Sequence, residues 1–119
     1  MYRMGQEEID AVAKVIYSKK LFKVNDGENQ EVANFEKEMR EKLDTEHAVL
    51  MTSGFGALQA ALVGMDIGPG DEVIVPAYTY IATAMAVVAV GAMPVVAEID
   101  DSLMIDPDDI ERKITPKTR

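Results

Sequence analysis

A chain of 119 residues, 48% hydrophobic and 28% charged, has the composition of one soluble globular domain and is long enough to bury about two-thirds of its unfolded surface. Its 12 basic and 21 acidic side chains give a formal net charge of −9, the wrong sign for a nucleic-acid binder. The absence of cysteine and the single histidine, His47, exclude disulfides, thiolate metal sites and multi-histidine metal sites, and no apolar run is long enough to span a bilayer. The opening MYRMGQEEID lacks the apolar core of a signal peptide, so a cytoplasmic protein is expected.

In chain order, residues 6–18 place Ile9, Val12, Ala13 and Ile16 at helical spacing, with acidic residues early, where the helix dipole favours them. Residues 19–29 are polar around Leu21 and Phe22, and the NDG at 25–27 is a turn signal. Residues 30–43 carry Val32, Phe35, Met39 and Leu43 on one face of a second amphipathic helix. This helical segment, residues 1–46, is expected to pack on the outside of a domain formed by the later residues. From residue 47 the rhythm changes. HAVLMT reads as a buried strand and GALQAALVGM as a helix rich in small residues. GPGD at 68–71 is a turn, DEVIVP a second buried strand ended by Pro76, and YIATAMAVVAV an apolar helix stopping at Gly91. MPVVAEID is a third strand, and PDDIERKI opens a helix at Pro107 with acids in its first turn. Strand, helix, strand, helix, strand predicts an α/β domain over 47–119, with a mostly parallel sheet covered by helices.

In such open sheets ligands gather beyond the C-terminal strand ends. Two stretches fall there. TSGFG at 52–56 lies where a strand turns into a helix: its glycines allow close backbone approach and the free N–H groups at a helix start suit a phosphate, although Ser53 as a simple cap explains the same residues. PAYTY at 76–80 offers Tyr78 and Tyr80, either of which could stack on a flat ring; on pattern alone one tyrosine packs inside and the other faces solvent. Glu98, Asp100 and Asp101 read as solvated carboxylates rather than a cation site, His47 as structural, and no lysine sits in an apolar setting that would make it a nucleophile. A phosphate cradle beside an aromatic plate suits flavins, nucleotides and pyridoxal phosphate alike.

SGFGAL, DIGPGDEVIVPAYTYIATA, GAMPVVAEID and ITPKT, in that order and spacing, with GQEEIDAV and VANFEKEM upstream, closely resemble the DegT/DnrJ/EryC1/StrS family of pyridoxal-phosphate-dependent aminotransferases. The resemblance implies the N-terminal part of the large domain of a fold-type I transferase, with pyridoxal 5'-phosphate as cofactor and a nucleotide-linked keto sugar as substrate. The family's phosphate turn, usually Ser-Gly-Thr-Ala, matches Ser53, Gly54, Phe55 and Gly56, with Phe55 in place of the threonine and its hydroxyl. The backbone N–H groups of Phe55 and Gly56 are then the phosphate donors. The stacking aromatic follows a threonine in the family, which points to Tyr80 after Thr79 rather than to Tyr78; Thr83 matches a common family residue.

The family's Schiff-base lysine, and the aspartate that pairs with the pyridine nitrogen, lie downstream of ITPKT, so the resemblance assigns no catalytic residue and no metal ligand to this chain. It implies an N-terminal segment that is inactive alone and that works as a homo-oligomer or with a complementary C-terminal polypeptide. A sugar dehydratase of the same fold and a non-catalytic assembly module are the alternatives.

Overall fold

The computed structural model describes residues 4–22 and 30–119, so the turn read at 25–27 lies outside the described residues. The chain divides into two compact units, Met1–Leu50 and Met51–Arg119.

The first unit holds α1 (Gln6–Ser18) and α2 (Glu31–Leu43). The Glu8 carboxylate reaches back to accept the Gly5 N–H at 2.6 Å, satisfying a donor at the start of α1, and this bond holds the Glu8 carboxyl below its usual range. The apolar stripe of α1 forms as its spacing requires, but Ile9, Val12 and Ile16 all remain exposed, and neither helix contains a buried residue. The strand expected at 47–52 is not formed. A strand exists only through a neighbouring ladder, and here the Leu50 N–H donates to the Glu36 carboxylate of α2 at 2.7 Å instead. Val49, Leu50 and Met51 are left exposed.

The second unit is α/β. It runs α3 (Gly54–Gly64), β1 (Glu72–Pro76), α4 (Ala82–Ala89), β2 (Met93–Ala97) and α5 (Pro107–Lys113). The two strands pair in parallel, with Glu72 opposite Met93 and Pro76 opposite Ala97, so α4 is the crossover that parallel pairing demands. The core is small: Ile67, Val75, Val87 and Ala92, flanked by Leu62, Val73, Ala84 and Val90. It joins α3, α4 and both strand regions.

Two helices end the same way, and both ends feed that core. After α4 the Gly91 N–H donates to Val88 O at 2.9 Å and the Ala92 N–H to Val87 O at 3.1 Å, with Gly91 at φ +85°. After α3 the Asp66 N–H donates to Val63 O at 3.0 Å and the Ile67 N–H to Leu62 O at 3.0 Å, with Asp66 at φ 59°. Each is a Schellman turn whose last apolar residue returns to its own helix. At Gly91 only glycine fits, because a Cβ there would also lie 3.0 Å from Pro69 Cγ.

β2 is closed as an edge strand by three devices. Pro94 lacks the N–H that would face outward, Lys113 Nζ donates to Val96 O at 2.7 Å, and the Glu98 N–H donates to Asp109 Oδ2 at 2.7 Å. The opposite edge is open to pairing at β1. There the Glu72 N–H donates to Lys117 O at 2.9 Å and the Arg119 N–H to Glu72 O at 3.0 Å, a single parallel bridge between Glu72 and Thr118. The sheet of the described residues therefore has two strands rather than the expected three, with one isolated bridge on the β1 side.

The two turns predict opposite mutational effects. Asp66→Gly removes a left-handed strain worth about 1 kcal/mol for an L-residue and should raise the urea midpoint. Gly91→Ala adds that strain and the Pro69 clash and should lower the midpoint by more; equal and small changes at both sites would show that these turns do not limit stability.

Candidate functional site

The backbone of Ser53 is extended, at φ −160° and ψ 159°, and the chain becomes helical at Gly54. Ser53 Oγ accepts the Gly56 N–H at 3.0 Å, while Ser53 O accepts the Ala57 N–H at 3.0 Å and starts the helix ladder. The cap expected of Ser53 is formed. It leaves the N–H groups of Gly54 and Phe55 with no acceptor among the described residues, at the positive end of an 11-residue helix. The Gly56 donor is occupied by the serine. A hydroxyl that accepts from Gly56 still has its own proton to give, so Ser53, Gly54 and Phe55 together offer three donors to an anion.

A Cβ at Gly56 would lie 3.4 Å from Ser53 Oγ, an ordinary contact distance, so the cap itself does not demand glycine there. Among the described residues, a Cβ at Gly54 would meet no atom within 4 Å outside its chain neighbours and its own helix backbone, so packing does not require glycine there. Close approach by a ligand would require it.

The tyrosine loop leaves the C-terminal end of β1. Its first N–H, that of Ala77, donates to Ala97 O of β2 at 2.7 Å. At its far end the hydroxyls of Thr79 and Thr83 lie 3.0 Å apart in a hydrogen bond, and the Thr83 N–H donates to Tyr80 O at 2.9 Å. Thr83 thereby fastens the loop to the start of α4. Between these ties Tyr78 is 67% and Tyr80 79% exposed, which corrects the expectation that one of the rings packs inside. The polar ties use the backbone and the threonines, so neither ring is drawn inward. The two candidate segments open α3 and α4, and these helices pack against each other.

Among the acidic residues after β2, Asp100 has a structural role. Asp100 folds its own turn, its carboxylate accepting the Ser102 N–H at 2.8 Å and the Ser102 hydroxyl, and these bonds hold its carboxyl below the usual range. No group of acidic or histidine residues is arranged to hold a metal ion among the described residues. His47 is exposed beside Glu46.

Asp109 is the residue that sequence reasoning passed over. It looked like one more acid in the first turn of a helix, yet it is 5% exposed. Lys113 Nζ lies 2.7 Å and Arg112 Nη2 3.0 Å from its carboxylate, which also accepts the Glu98 N–H. The Lys113 bond first, then the Glu98 N–H, holds its pKa down to about 2. The spacing of an acid to bases three and four residues on was visible in DDIERK; its burial depended on β2.

The sequence profile of the DegT/DnrJ/EryC1/StrS aminotransferase family matches residues 2–119. Over 90 residues the chain is 52% identical to dTDP-3-amino-3,4,6-trideoxy-alpha-D-glucose transaminase of Streptomyces venezuelae, covering 75% of this chain and 24% of that protein. The crystal structure of an aminotransferase from Psychrobacter cryohalolentis superposes with a TM-score of 0.87 at 41% identity, over 98% of this chain and 29% of that one. NtdA from Bacillus subtilis, solved with bound cofactor PMP, superposes with a TM-score of 0.79 at 31% identity, over 98% of this chain and 27% of that one. The chain thus spans less than a third of the length of each of these relatives.

Ser53→Ala should cost about 1 kcal/mol through loss of the cap, read as a lower urea midpoint with an unchanged slope. Asp109 gives a pH signature. Its folded pKa lies below the ordinary 3.8, so its contribution to stability is complete above that value and is lost as pH falls towards about 2. Asp109→Asn should be less stable than the parent at neutral pH, and the gap should close across that acid window; a gap independent of pH would contradict the ion pairing.

Proposed function

Since the chain belongs to the DegT/DnrJ/EryC1/StrS aminotransferase family, we propose that it forms the N-terminal portion of a pyridoxal-phosphate-dependent aminotransferase acting on a nucleotide-linked keto sugar. The observation that carries this reading is the start of α3, where two N–H groups without acceptors among the described residues and a serine hydroxyl lie beside an uncrowded glycine. That donor set suits a phosphate. The named activity of the S. venezuelae relative supports the sugar substrate, and the PMP of NtdA, the amino form of pyridoxal phosphate, supports the cofactor.

In this reading residues 1–46 are a helical segment and 47–119 the first part of the cofactor-binding domain. Gly54 and Phe55 donate backbone N–H groups to the phosphate. Gly56 acts through Ser53: its N–H orients the hydroxyl so that the remaining proton faces the anion. Phe55 supplies its backbone only, and the residue is 37% exposed. Tyr80, held at its carbonyl by Thr83, lays its ring against the pyridine. When bound, pyridoxal phosphate supplies the electron sink for amino-group transfer. The lysine that carries the cofactor comes from polypeptide beyond these residues, and the assembled enzyme works as an oligomer in the cytoplasm.

Tyr80→Ala in the full-length polypeptide should weaken pyridoxal phosphate by about 0.5–1.5 kcal/mol, the worth of an aromatic pair beyond burial, whereas Tyr78→Ala should leave affinity unchanged. A larger effect at Tyr78 in equilibrium titration would reverse the assignment. The 119-residue chain alone should transfer no amino group, and borohydride trapping with peptide mapping should find only scattered partial labelling, for instance at Lys19, Lys20 or Lys117. Stoichiometric labelling of one lysine together with amino transfer to a keto sugar would overturn the reading.

A further inference from the structure

We propose that Asp109 is a positioning residue for the tyrosine loop, acting through the single peptide group between Ala97 and Glu98. This peptide has two ends. Its N–H, on Glu98, donates to Asp109 Oδ2 at 2.7 Å. Its carbonyl, on Ala97, accepts the Ala77 N–H at 2.7 Å. In a trans peptide the two groups point in opposite directions, so one planar unit spans the gap between α5 and the first residue of the loop. A charged acceptor on the N–H polarises the peptide and makes its carbonyl a better acceptor. The carboxylate therefore holds the plane in place and strengthens the bond that starts the loop.

The surroundings keep Asp109 charged and fixed. Lys113 bonds both Asp109 and Val96 O, each at 2.7 Å, and so pins the strand one residue before this peptide. Arg112 bonds Asp109 at 3.0 Å and leans at 3.7 Å on Asp106, whose own carboxylate caps α5 by accepting the Asp108 N–H at 2.9 Å. The Asp106 N–H in turn donates to Glu98 O at 2.9 Å. Among the side chains of the described residues, Asp109 is the one that bonds the peptide carrying the loop. At its other end the loop is tied by Thr79 and Thr83, so the segment bearing Tyr80 is anchored twice, once through Asp109 and once through Thr83. The importance of this anchoring for the cofactor ring rests on the role proposed for Tyr80; the hydrogen-bond relay itself does not.

Residue-resolved hydrogen exchange on the full-length polypeptide, freed of cofactor, tests the relay independently of the ring assignment. Ala77 and Val75 both face β2, but only Ala77 bonds the Ala97 carbonyl. In Asp109→Asn the exchange of Ala77 should speed up about tenfold more than that of Val75, a difference of about 1.4 kcal/mol in local opening. Arg112→Gln, which keeps the carboxylate on the Glu98 N–H, should leave the ratio of the two rates unchanged. If the asparagine variant does not fold, Asp109→Glu, whose extra methylene displaces the carboxylate from the Glu98 N–H, should show the same selective rise at Ala77, and equal rates at both amides would count against the relay. Equal acceleration of both amides, or none, would reduce Asp109 to a general clamp on α5 and overturn the proposal. A selective effect on Ala77 together with unaltered cofactor affinity on Tyr80→Ala in the full-length protein would sustain the relay and remove the ring assignment.

Discussion

Parallel pairing of β1 with β2 is the constraint on which the second unit depends. Two parallel strands cannot be joined by a tight turn, so the chain must leave the C-terminal end of β1, cross as a helix and return to the start of β2. That route places the tyrosine loop at the C-terminal end of the sheet and makes Gly91 the point of reversal. It also decides which peptide groups face which way. Val73, Val75 and Ala77 turn towards β2, whereas Glu72, Ile74 and the carbonyl of Pro76 turn towards the opposite edge. The same alternation on β2 sends Ala97 O to the loop and the Glu98 N–H to Asp109.

The two edges of this short sheet are treated differently. Along β2 a proline, a lysine and two aspartates leave little for another strand to pair with. Along β1 the bridge at Thr118 begins a ladder that Ile74 can continue. Exposed Val49 and Leu50 add a second apolar surface, in the first unit.

Much of this was legible in the residues. Helix periods located α1 with its bounds and α2 to within one residue, and Gly91 marked the end of α4, because local spacing and turn chemistry decide those features. Ser53 as a cap was equally local. The fate of HAVLMT was not legible, since an apolar run becomes a strand only where a ladder receives it, and Glu36 took the Leu50 donor. The exposure of both tyrosines was not legible either, since burial depends on what packs against the loop, and the long-range bond of that loop runs from its backbone at Ala77 to Ala97. Asp109 was hidden for the same reason: its acid-to-base spacing is ordinary for a helix, and only the end of β2, 11 positions earlier, turns it into a buried anchor.

The start of α3 and the tyrosine loop are tested together most directly by a crystal structure of the full-length polypeptide with pyridoxal phosphate. The expected result is the phosphate against the N–H groups of Gly54 and Phe55 and the hydroxyl of Ser53, with the Tyr80 ring parallel to the pyridine and the Ala77 to Ala97 bond intact. A phosphate bound away from the start of α3, or a pyridine covered by Tyr78 instead, would contradict it.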